Sequence, residues 1–216
     1  MILATRPLLL ALLACSALTA CASRPPDRYN DLPITARLQP TSSDTMPFAY
    51  DEPAHWRDYS AIIIEPVAIY AGADHQFGDL SASDQRELAS AMDHEFRQTL
   101  RSRFRLTDTS QPGALRLRLT LTGAKGNTAV VSTVTRFDLV GLPYNAVQAL
   151  RGKEGIFMGS VSYSVEVYDA MSNRLLKAYQ ARQYPNAMNV GATFGSLGAA
   201  RTGLDKGAHE LLAELQ

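Results

Sequence analysis

The sequence predicts an α+β domain in which an antiparallel sheet of four to six strands carries two main helices on one face. Three patterns predict it. Leucines alternate with polar residues over 114–122, apolar residues alternate with serines over 160–167, and apolar residues recur every three or four positions over 82–104 and 200–215. A period of two is typical of a strand with one buried face, and the longer period is typical of an amphipathic helix.

The first twenty residues have the order of an export signal. Arg6 is followed by an apolar run from Leu8 to Leu18, and small residues then precede Cys21. The run is shorter than the roughly 20 apolar residues that cross a bilayer as a helix. We therefore predict that residues 1–20 are a cleaved signal peptide rather than a membrane span.

The four residues Leu18-Thr19-Ala20-Cys21 resemble the lipobox of bacterial lipoproteins. The resemblance implies that the Cys21 thiol is alkylated with diacylglycerol, that a peptidase cuts between Ala20 and Cys21, and that the freed amine receives a fatty acid such as palmitate. Two or three acyl chains make release from a membrane slow. An ordinary secretory signal with a chance cysteine is the alternative.

The residue after the cysteine bears on location. Many lipoproteins that stay in the inner membrane of Gram-negative bacteria carry Asp there, whereas this chain has Ala22. The resemblance therefore points to the periplasmic face of the outer membrane, with the inner membrane as the less favoured alternative.

Charge and cysteine content limit the partners of the chain. The precursor has 21 Lys and Arg against 21 Asp and Glu, so loss of Arg6 with the signal leaves 20 against 21. Such a chain lacks the basic surface that binds nucleic acid. Because Cys15 leaves with the signal and Cys21 carries the lipid, no thiol remains for a disulfide, a metal or a nucleophile. We expect no nucleic-acid partner and a membrane contact made through the N-terminal lipid.

Residues 21–47 are predicted to form the lipidated cysteine and a flexible tether, followed by a globular domain at 48–216. Five prolines occur between Ala22 and Pro47, among Ser, Thr and Asp. Proline removes a backbone donor and opposes helix formation, so we predict no regular structure there. The alternative is that residues around Ile34–Leu38 pack along the domain as an arm.

The first half of the domain contains one predicted strand and one predicted helix. Ala61–Tyr70 is rich in β-branched residues and forms the strand, in which Pro66 marks an edge or a bulge. Ser81–Asp84 supplies start signals for the helix, whose apolar face continues to about Phe104, ahead of a turn at 108–113. We predict that this face packs on the sheet; a partner-binding helix is the alternative.

The second half contains the clearest alternation. Ala114–Thr122 is a predicted strand with four buried leucines and with Arg116 and Arg118 directed outward. A second strand follows at 160–167, whose serines are predicted to form a polar face of the sheet. A turn at 169–173 leads into a returning strand over 174–184, and a helix over 200–215 ends the chain. Residues 123–155 fit neither period, so they are either a functional or mobile insertion or a loop that plugs one end of the sheet.

Several segments together resemble the bacterial lipoproteins grouped as domain of unknown function 3313. They are Trp56-Arg57-Asp58-Tyr59, Glu65-Pro66-Val67, Leu80-Ser81-Ala82-Ser83-Asp84, Gln111-Pro112-Gly113 before Leu115-Arg116-Leu117, and Gly159 through Asp169. The resemblance runs from about Tyr50 to the C-terminus and implies fold and location but no activity. The sequence departs from it in the insertion and at Gly207, where the resemblance implies a bulkier apolar residue.

No motif predicts a chemical site. His55, His75, His94 and His209 lie in four different segments without the spacing of a zinc site. The segment 159–163 lacks the second glycine of a nucleophile elbow, and the glycines of 191–207 form no phosphate-binding motif. Glu65, Asp138 and Glu154 are the carboxylates that the fold could bring together as a catalytic pair. We predict no catalytic residue, no cofactor and no metal.

These patterns favour a non-enzymatic binding or assembly component of the cell envelope, with an unidentified envelope protein as a partner. A hydrolase of cell-wall polymers is one alternative, and it requires converging carboxylates or a Ser/His pair in a cleft. A structural subunit of an export or secretion complex is another, and it requires an exposed apolar patch or an unpaired sheet edge.

Overall fold

The computed structural model describes residues 28–125, 159–184 and 197–216. Over these ranges the chain forms eight strands and two α-helices. The strands are β1 (Gln39–Pro40), β2 (Phe48–Asp51), β3 (Ala61–Ile64), β4 (Ala68–Ile69), β5 (Arg105–Leu106), β6 (Ala114–Lys125), β7 (Ser160–Asp169) and β8 (Leu175–Gln183). The helices are α1 (Ala82–Leu100) and α2 (Gly198–Glu214), and short 3-10 helices occur at Pro33–Arg37 and Trp56–Asp58.

The sheet is mixed, in the order β1-β2-β8-β7-β6-β3-β5, with β4 also paired to β6. Pairings from β1 to β6 along this order are antiparallel, whereas β3 and β4 run parallel to β6, and β3 runs parallel to β5. The α+β class and the two helices on one face are confirmed. The prediction of an antiparallel sheet of four to six strands is correct only for the five strands from β1 to β6 along this order. The described sheet has eight strands and is mixed, because α1 lies between β3 and β6 in sequence and such a crossover returns the chain in the same direction.

The face of the sheet under the helices holds the main core. Leu115, Leu117, Leu119 and Leu121 of β6 are fully buried there beside the odd-numbered apolar residues of β7. The predicted alternation of both strands is therefore confirmed on this side. α1 contributes residues such as Leu88, Met92 and Phe96, and α2 contributes residues such as Leu204 and Leu211.

Helix α1 begins where its sequence signals predict. The Ser81 hydroxyl accepts a hydrogen bond of 3.1 Å from the Asp84 backbone N–H and so caps the first turn. A cap of this kind stabilises a helix by about 1 kcal/mol. At Pro66 the predicted strand divides into β3 and β4, as expected for a proline that has no backbone donor.

Helix α2 lies close to β7 because it carries glycine where the family resemblance implies a larger residue. A Cβ atom on Gly207 would lie 1.8 Å from the hydroxyl of Tyr163, which is fully buried in β7. The tyrosine ring thus occupies the volume of the expected apolar side chain. The small residue Gly207 on α2 is thus paired with the large residue Tyr163 on the facing strand β7.

The second face of the sheet is covered by the N-terminal arm, residues 28–51. Tyr29, Ile34 and Leu38 are buried in a second apolar cluster that includes Leu175 and Ala178 of β8. The tether prediction is therefore wrong for residues 28–47, and the alternative of a packed arm is correct. The prolines did not prevent packing, because a 3-10 helix beginning at proline and a two-residue edge strand need few backbone donors.

Candidate functional site

Of the residues that the sequence singled out, those that the structure describes do not form one site. Ala20 and Cys21, as well as Asp138 and Glu154, lie outside the described residues, as does most of 123–155. Glu65 lies on the second face of the sheet, where its carboxylate pairs with Arg118 at 3.0 Å. The four histidines are exposed on separate loops and helices. Across 28–125, 159–184 and 197–216, no three His, Cys, Asp or Glu side chains are grouped so as to hold a metal ion.

The serines of β7 lie on the second face but not in solvent. Ser160, Ser162 and Ser164 are each at most 4% exposed, and Gln180 of β8 is fully buried beside them. These serines form the polar face that the sequence predicts, and the face is buried because the arm packs over it. The result is a buried polar layer, which we define as Thr120, Thr122, Ser160, Ser162, Ser164, Glu166 and Gln180.

The polar layer is only partly satisfied by hydrogen bonds. Among the described residues, no partner of normal geometry reaches Thr122 Oγ1, Ser164 Oγ, Gln180 Oε1 or the hydroxyl of Tyr29, which faces Thr122 and Ser162. Burial raises the pKa of Tyr29 above its ordinary value. A buried polar atom without a partner costs about 1–3 kcal/mol, so the arm is held less firmly than the helices on the apolar face.

One group of hydrogen bonds holds the start of the arm. The Asn30 backbone N–H donates to Asp74 Oδ2 at 2.8 Å, and the Tyr70 hydroxyl donates to Asp74 Oδ1 at 2.5 Å. The Tyr70 hydroxyl also accepts from the Asp31 backbone N–H at 3.1 Å, and the Tyr70 ring meets the Tyr29 ring edge-on with centroids 5.2 Å apart. We refer to Tyr29, Asn30, Asp31, Tyr70 and Asp74 as the latch.

A polar cleft of about 570 Å³ opens beside the latch. Buried Ser160 and Ser162 form its deep part, and Phe77, Leu80 and Ala124 supply apolar wall. The charged residues that line it are Lys125, Arg182, Asp79 and Asp84. Groups of both signs around a partly apolar pocket suit a polar ligand that carries both charges, and a volume in this range is typical of small-molecule sites.

The cleft depends on a glycine in β6. A Cβ atom on Gly123 would lie 2.6 Å from Cβ of Gln76 and 2.7 Å from its carbonyl oxygen. Gln76 pairs with Gly123 as an isolated parallel bridge, which brings the loop of residues 76–80 against the end of the strand. Only a residue without a side chain permits this approach.

A charged cluster, defined as Glu65, Arg116, Arg118, Glu166 and Tyr168, lies toward the other end of the same face. Arg118 is 3.0 Å from Glu65 and 3.7 Å from the largely buried Glu166, and its pKa is raised by the hydrogen bond to Glu65. Tyr168 donates to Glu166, and burial together with this carboxylate raises the pKa of Tyr168 to about 12. The cluster is paired internally, so it presents a rigid polar surface rather than a reactive carboxylate.

Sequence reasoning missed the cleft. Lys125 and Arg182 end their strands near one another because β6, β7 and β8 pair in order, Lys125 with Ser160 and Arg182 with Ser162. The only signal in the sequence was the alternation of serines in β7. Its period of two predicts a strand but does not show which segment packs against the serines.

The described surface bears on the structural-subunit alternative. Within the described ranges, Met171 is the single large apolar side chain that is highly exposed, at 58%. The edge strands β1 and β5 have two residues each, and β1 ends in Pro40. Neither of the two α-helices described is both long and apolar enough to cross a membrane.

Comparison with solved structures finds low similarity to several bacterial proteins. A PelC dodecamer from Paraburkholderia phytofirmans is 11% identical, with 74% of this chain and 94% of that chain covered and a TM-score of 0.38. A DUF4136 family protein from Bacteroides thetaiotaomicron is 9% identical, with 80% and 98% covered and a TM-score of 0.36. A Xanthomonas campestris protein of family DUF330 is 10% identical, with 75% and 87% covered and a TM-score of 0.35.

The family resemblance was predicted from segments spread over the whole domain, and it is confirmed. No curated protein matches the chain. Residues 28–211, which include the arm, both helices and the long strands, match the family described as "Protein of unknown function (DUF3313)". The chain therefore belongs to the DUF3313 family.

Proposed function

We propose that this chain is a lipoprotein of the bacterial envelope, anchored by acyl chains on Cys21 to the periplasmic face of the outer membrane, and that its domain is a non-enzymatic binding or assembly component. The lipobox-like residues Leu18-Thr19-Ala20-Cys21 support the anchor. Two or three acyl chains on the cysteine hold a protein on a membrane for long periods.

One observation carries the proposal: a packed residue of the domain follows the cysteine within eight positions. Tyr29 is 1% exposed and packs against Tyr70, and it lies only eight residues after Cys21. Everything before the cysteine has the composition of an export signal, and the packed domain starts a few residues after it. An anchor residue is expected at this boundary.

The binding role is supported by the cleft. Its deep polar groups are side chains of paired strands, which hold them in place, and its rim carries both Lys125 and Asp79. A site built on strands is positioned more precisely than one built on loops.

A cell-wall hydrolase is a second candidate, favoured by one observation: Asp79 and Asp84 line the same cleft. Asp84, however, accepts a hydrogen bond of 2.8 Å from the Ser81 hydroxyl in the first turn of α1. The Asp84 carboxylate is therefore already engaged within the first turn of the helix, which disfavours a role in catalysis. Asp79→Asn and Asp84→Asn would each abolish digestion of cell-wall polymer if the hydrolase proposal were right.

The anchor is tested by labelling cells with a fatty acid analogue. Wild-type protein should carry the label, partition into detergent and fractionate with the outer membrane. Cys21→Ser should carry none and retain its signal, migrating about 2 kDa heavier, because the serine hydroxyl has too high a pKa to be alkylated in place of the thiol. Unlabelled wild-type protein would refute the proposal.

The binding role is tested with a photo-crosslinker placed at Lys125 on the cleft rim, in intact envelopes. A crosslinker at the exposed His94 of α1 serves as the matched control. A defined product that forms from position 125 and not from position 94 supports a ligand or partner at the cleft. Equal products from both positions would exclude it.

A further inference from the structure

We propose that the second face of the domain binds an extended, acidic segment of a partner protein through arginines that lie over aromatic rings. The surface consists of the outside of the arm and the adjoining part of the sheet. This inference goes beyond the proposed function, because it names the chemistry of one partner and uses a surface separate from the cleft. It depends on neither the lipid anchor nor the latch.

Four guanidinium groups cover three aromatic rings on this surface. The rings are Phe48, Tyr50 and Tyr168, which are partly buried against the apolar cluster under the arm. A cation within about 6 Å of a ring centroid is attracted to the ring face, so these contacts hold the guanidiniums against the surface. We call the three rings and the four arginines the arginine face. Its pairs, with distances from guanidinium carbon to ring centroid, are Arg28–Phe48 at 4.7 Å, Arg37–Tyr50 at 4.3 Å, Arg116–Tyr168 at 6.0 Å and Arg118–Tyr168 at 5.5 Å.

Three of the four arginines are held in place by neutral acceptors. A carbonyl, hydroxyl or amide oxygen fixes the direction of a guanidinium but does not neutralise its charge. These arginines are therefore positioned in advance for an external anion. The hydrogen bonds run from Arg28 to the Leu38 carbonyl at 3.2 Å, from Arg37 to the Tyr50 hydroxyl at 2.7 Å, and from Arg116 to the Asn173 side-chain oxygen at 2.8 Å.

The carboxylates nearest to Arg116 are engaged by the fourth arginine, Arg118. Glu65 is 3.0 Å from Arg118 but 3.9 Å from Nε of Arg116. Glu166 accepts a hydrogen bond from Tyr168 and lies 3.7 Å from Arg118. Nε of Arg116 is buried and has no hydrogen-bond partner among the described residues. Two carboxylates thus surround Arg118, whereas Arg116 keeps an unused donor and much of its charge.

Acidic side chains lie between the arginines, which disfavours a membrane as the partner. Glu52 accepts from Tyr50, and Glu65 and Glu166 lie beside Arg118. Attraction to anionic lipid comes from clusters of about 4–8 basic side chains, and a continuous layer of headgroups would also meet these carboxylates. A polypeptide can place its own carboxylates against the arginines alone, and each such pair forms strong, charge-assisted hydrogen bonds.

The strand order gives the spacing of the acidic residues in the partner. Tyr50 on β2, Ala178 on β8, Glu166 on β7 and Arg118 on β6 are consecutive neighbours across the sheet. Three spacings of about 4.8 Å place the backbones of Tyr50 and Arg118 about 14 Å apart. An extended peptide advances about 3.4 Å per residue, so side chains four residues apart match this distance. We expect carboxylates at positions i and i+4 of the bound segment.

The proposal is tested with the mature, lipidated protein in detergent and with peptides that carry a neutral fluorophore. One peptide has two glutamates four residues apart in a Gly/Ser/Thr background, a second has them two residues apart, and a third has lysines in place of the glutamates of the first. Fluorescence anisotropy gives each Kd. The first peptide should bind at least about fivefold more tightly than the second, and its affinity should fall as salt screens the exposed pairs. The lysine peptide should not bind.

Variants of two arginines locate the binding surface. Arg37→Gln in the arm and Arg116→Gln in β6 should each weaken binding of the first peptide about tenfold, because each removes one charge-assisted pair. Arg116 lies outside the arm, so its variant remains informative if Arg37→Gln loosens the arm, which the melting temperatures reveal. Arg37→Lys keeps the charge but loses the planar group and should retain part of the affinity. Arg86→Gln, at an exposed position of α1 on the helix side of the sheet, is the matched control and should bind as the wild type does.

Several results would overturn the proposal. They are no binding of the first peptide at low salt, equal binding of the acidic and basic peptides, and an equal loss of affinity in Arg86→Gln and Arg116→Gln. Micelles doped with phosphatidylglycerol should not displace the peptide. Displacement by this lipid that is lost in Arg116→Gln would assign the arginine face to lipid headgroups instead. Acyl labelling of Cys21 and crosslinking at Lys125 are separate measurements, so the proposed function and this inference can fail independently.

Discussion

The Tyr70 hydroxyl donates a hydrogen bond of 2.5 Å to Oδ1 of Asp74, and this pair fixes the first residues of the arm. The second oxygen of the carboxylate accepts from the Asn30 N–H, and both bonds lower the pKa of Asp74 below its ordinary value of 3.8. Burial, and then the neighbouring carboxylate, raise the pKa of Tyr70 to about 12. The latch should therefore be stable over the pH range that lies between the pKa of the Asp74 carboxylate and the pKa of the Tyr70 phenol.

The arm should detach in acid before the core unfolds. Because the pKa of Asp74 is lower in the folded protein, its contribution is present above the unfolded value of about 4 and is lost as pH falls through the folded value. Hydrogen exchange measures this effect, once it is corrected for the intrinsic exchange rate at each pH. As pH falls through the folded pKa of Asp74, protection of the Asn30 and Asp31 amides should fall while the amides of β6 stay protected.

Two variants of the latch serve as controls. Asp74→Asn should lower protection of the two amides at neutral pH and remove its acid dependence. In the wild type, the raised pKa of the Tyr70 phenol contributes stability that is fully present below about pH 10 and is lost as pH rises through about 12. Tyr70→Phe should remove this loss of amide protection at alkaline pH. Simultaneous loss of protection in the arm and in β6 would show that the latch is not a separate unit.

Leu119→Ala in β6 should destabilise the domain by about 2–5 kcal/mol, because Leu119 is fully buried among the helix-facing residues and its truncation leaves a cavity. Arg118→Ala on the same strand is the matched control. Its side chain is 44% exposed and its closest ion pair, at 3.0 Å, is with the half-buried Glu65, so we expect a change of about 1 kcal/mol or less. Urea unfolding midpoints measure both, and equal shifts would contradict the assignment of the two faces.

Gly207→Ala in α2 should destabilise the protein although alanine favours helix. In an open position this change stabilises a helix by up to about 1 kcal/mol. Here the new methyl group would lie 1.8 Å from the hydroxyl of the fully buried Tyr163, and such overpacking costs about 1–3 kcal/mol. Lys206→Ala, at an exposed position one residue away, should leave the midpoint nearly unchanged. A gain in stability for Gly207→Ala would disprove the close contact.

Deletion of residues 28–47 should lower the melting temperature by about 5–15 °C and expose apolar surface that binds a hydrophobic dye, since it uncovers Leu175, Ala178 and Tyr70. Deletion of residues 22–27, which precede the arm in sequence, is the control and should leave melting unchanged. A tether without structural role would give the same result for both deletions.

Chelation should not affect stability. The described residues contain no group of three metal-ligating side chains, and with Cys21 acylated as proposed the mature chain would keep no free thiol, so we expect no metal-binding energy to be lost. The mature protein should melt at the same temperature with and without EDTA. A downward shift of several degrees would require a metal site.

The elements most successfully predicted are those whose signals are local. The Ser81 cap, the break at Pro66 and the alternation of Leu115 to Leu121 each depend on neighbours within a few positions. The sheet was only half predicted, because the parallel pairing of Ile62 with Leu115 joins residues more than fifty positions apart and has no local signature. Segments whose environment is set by distant residues were the ones misjudged.

By itself the sequence determined which of the longer segments are helix and strand, and which face of β6 is apolar, because backbone geometry repeats every two or 3.6 residues and the side chains must follow it. Only the tertiary structure decided that the serines of β7 are buried, that Gly207 faces Tyr163, and that the proline-rich segment is an arm rather than a tether. A side chain's environment depends on which distant surface packs against it, and burial of Tyr29, Ile34 and Leu38 on β8 offsets the cost of ordering the arm.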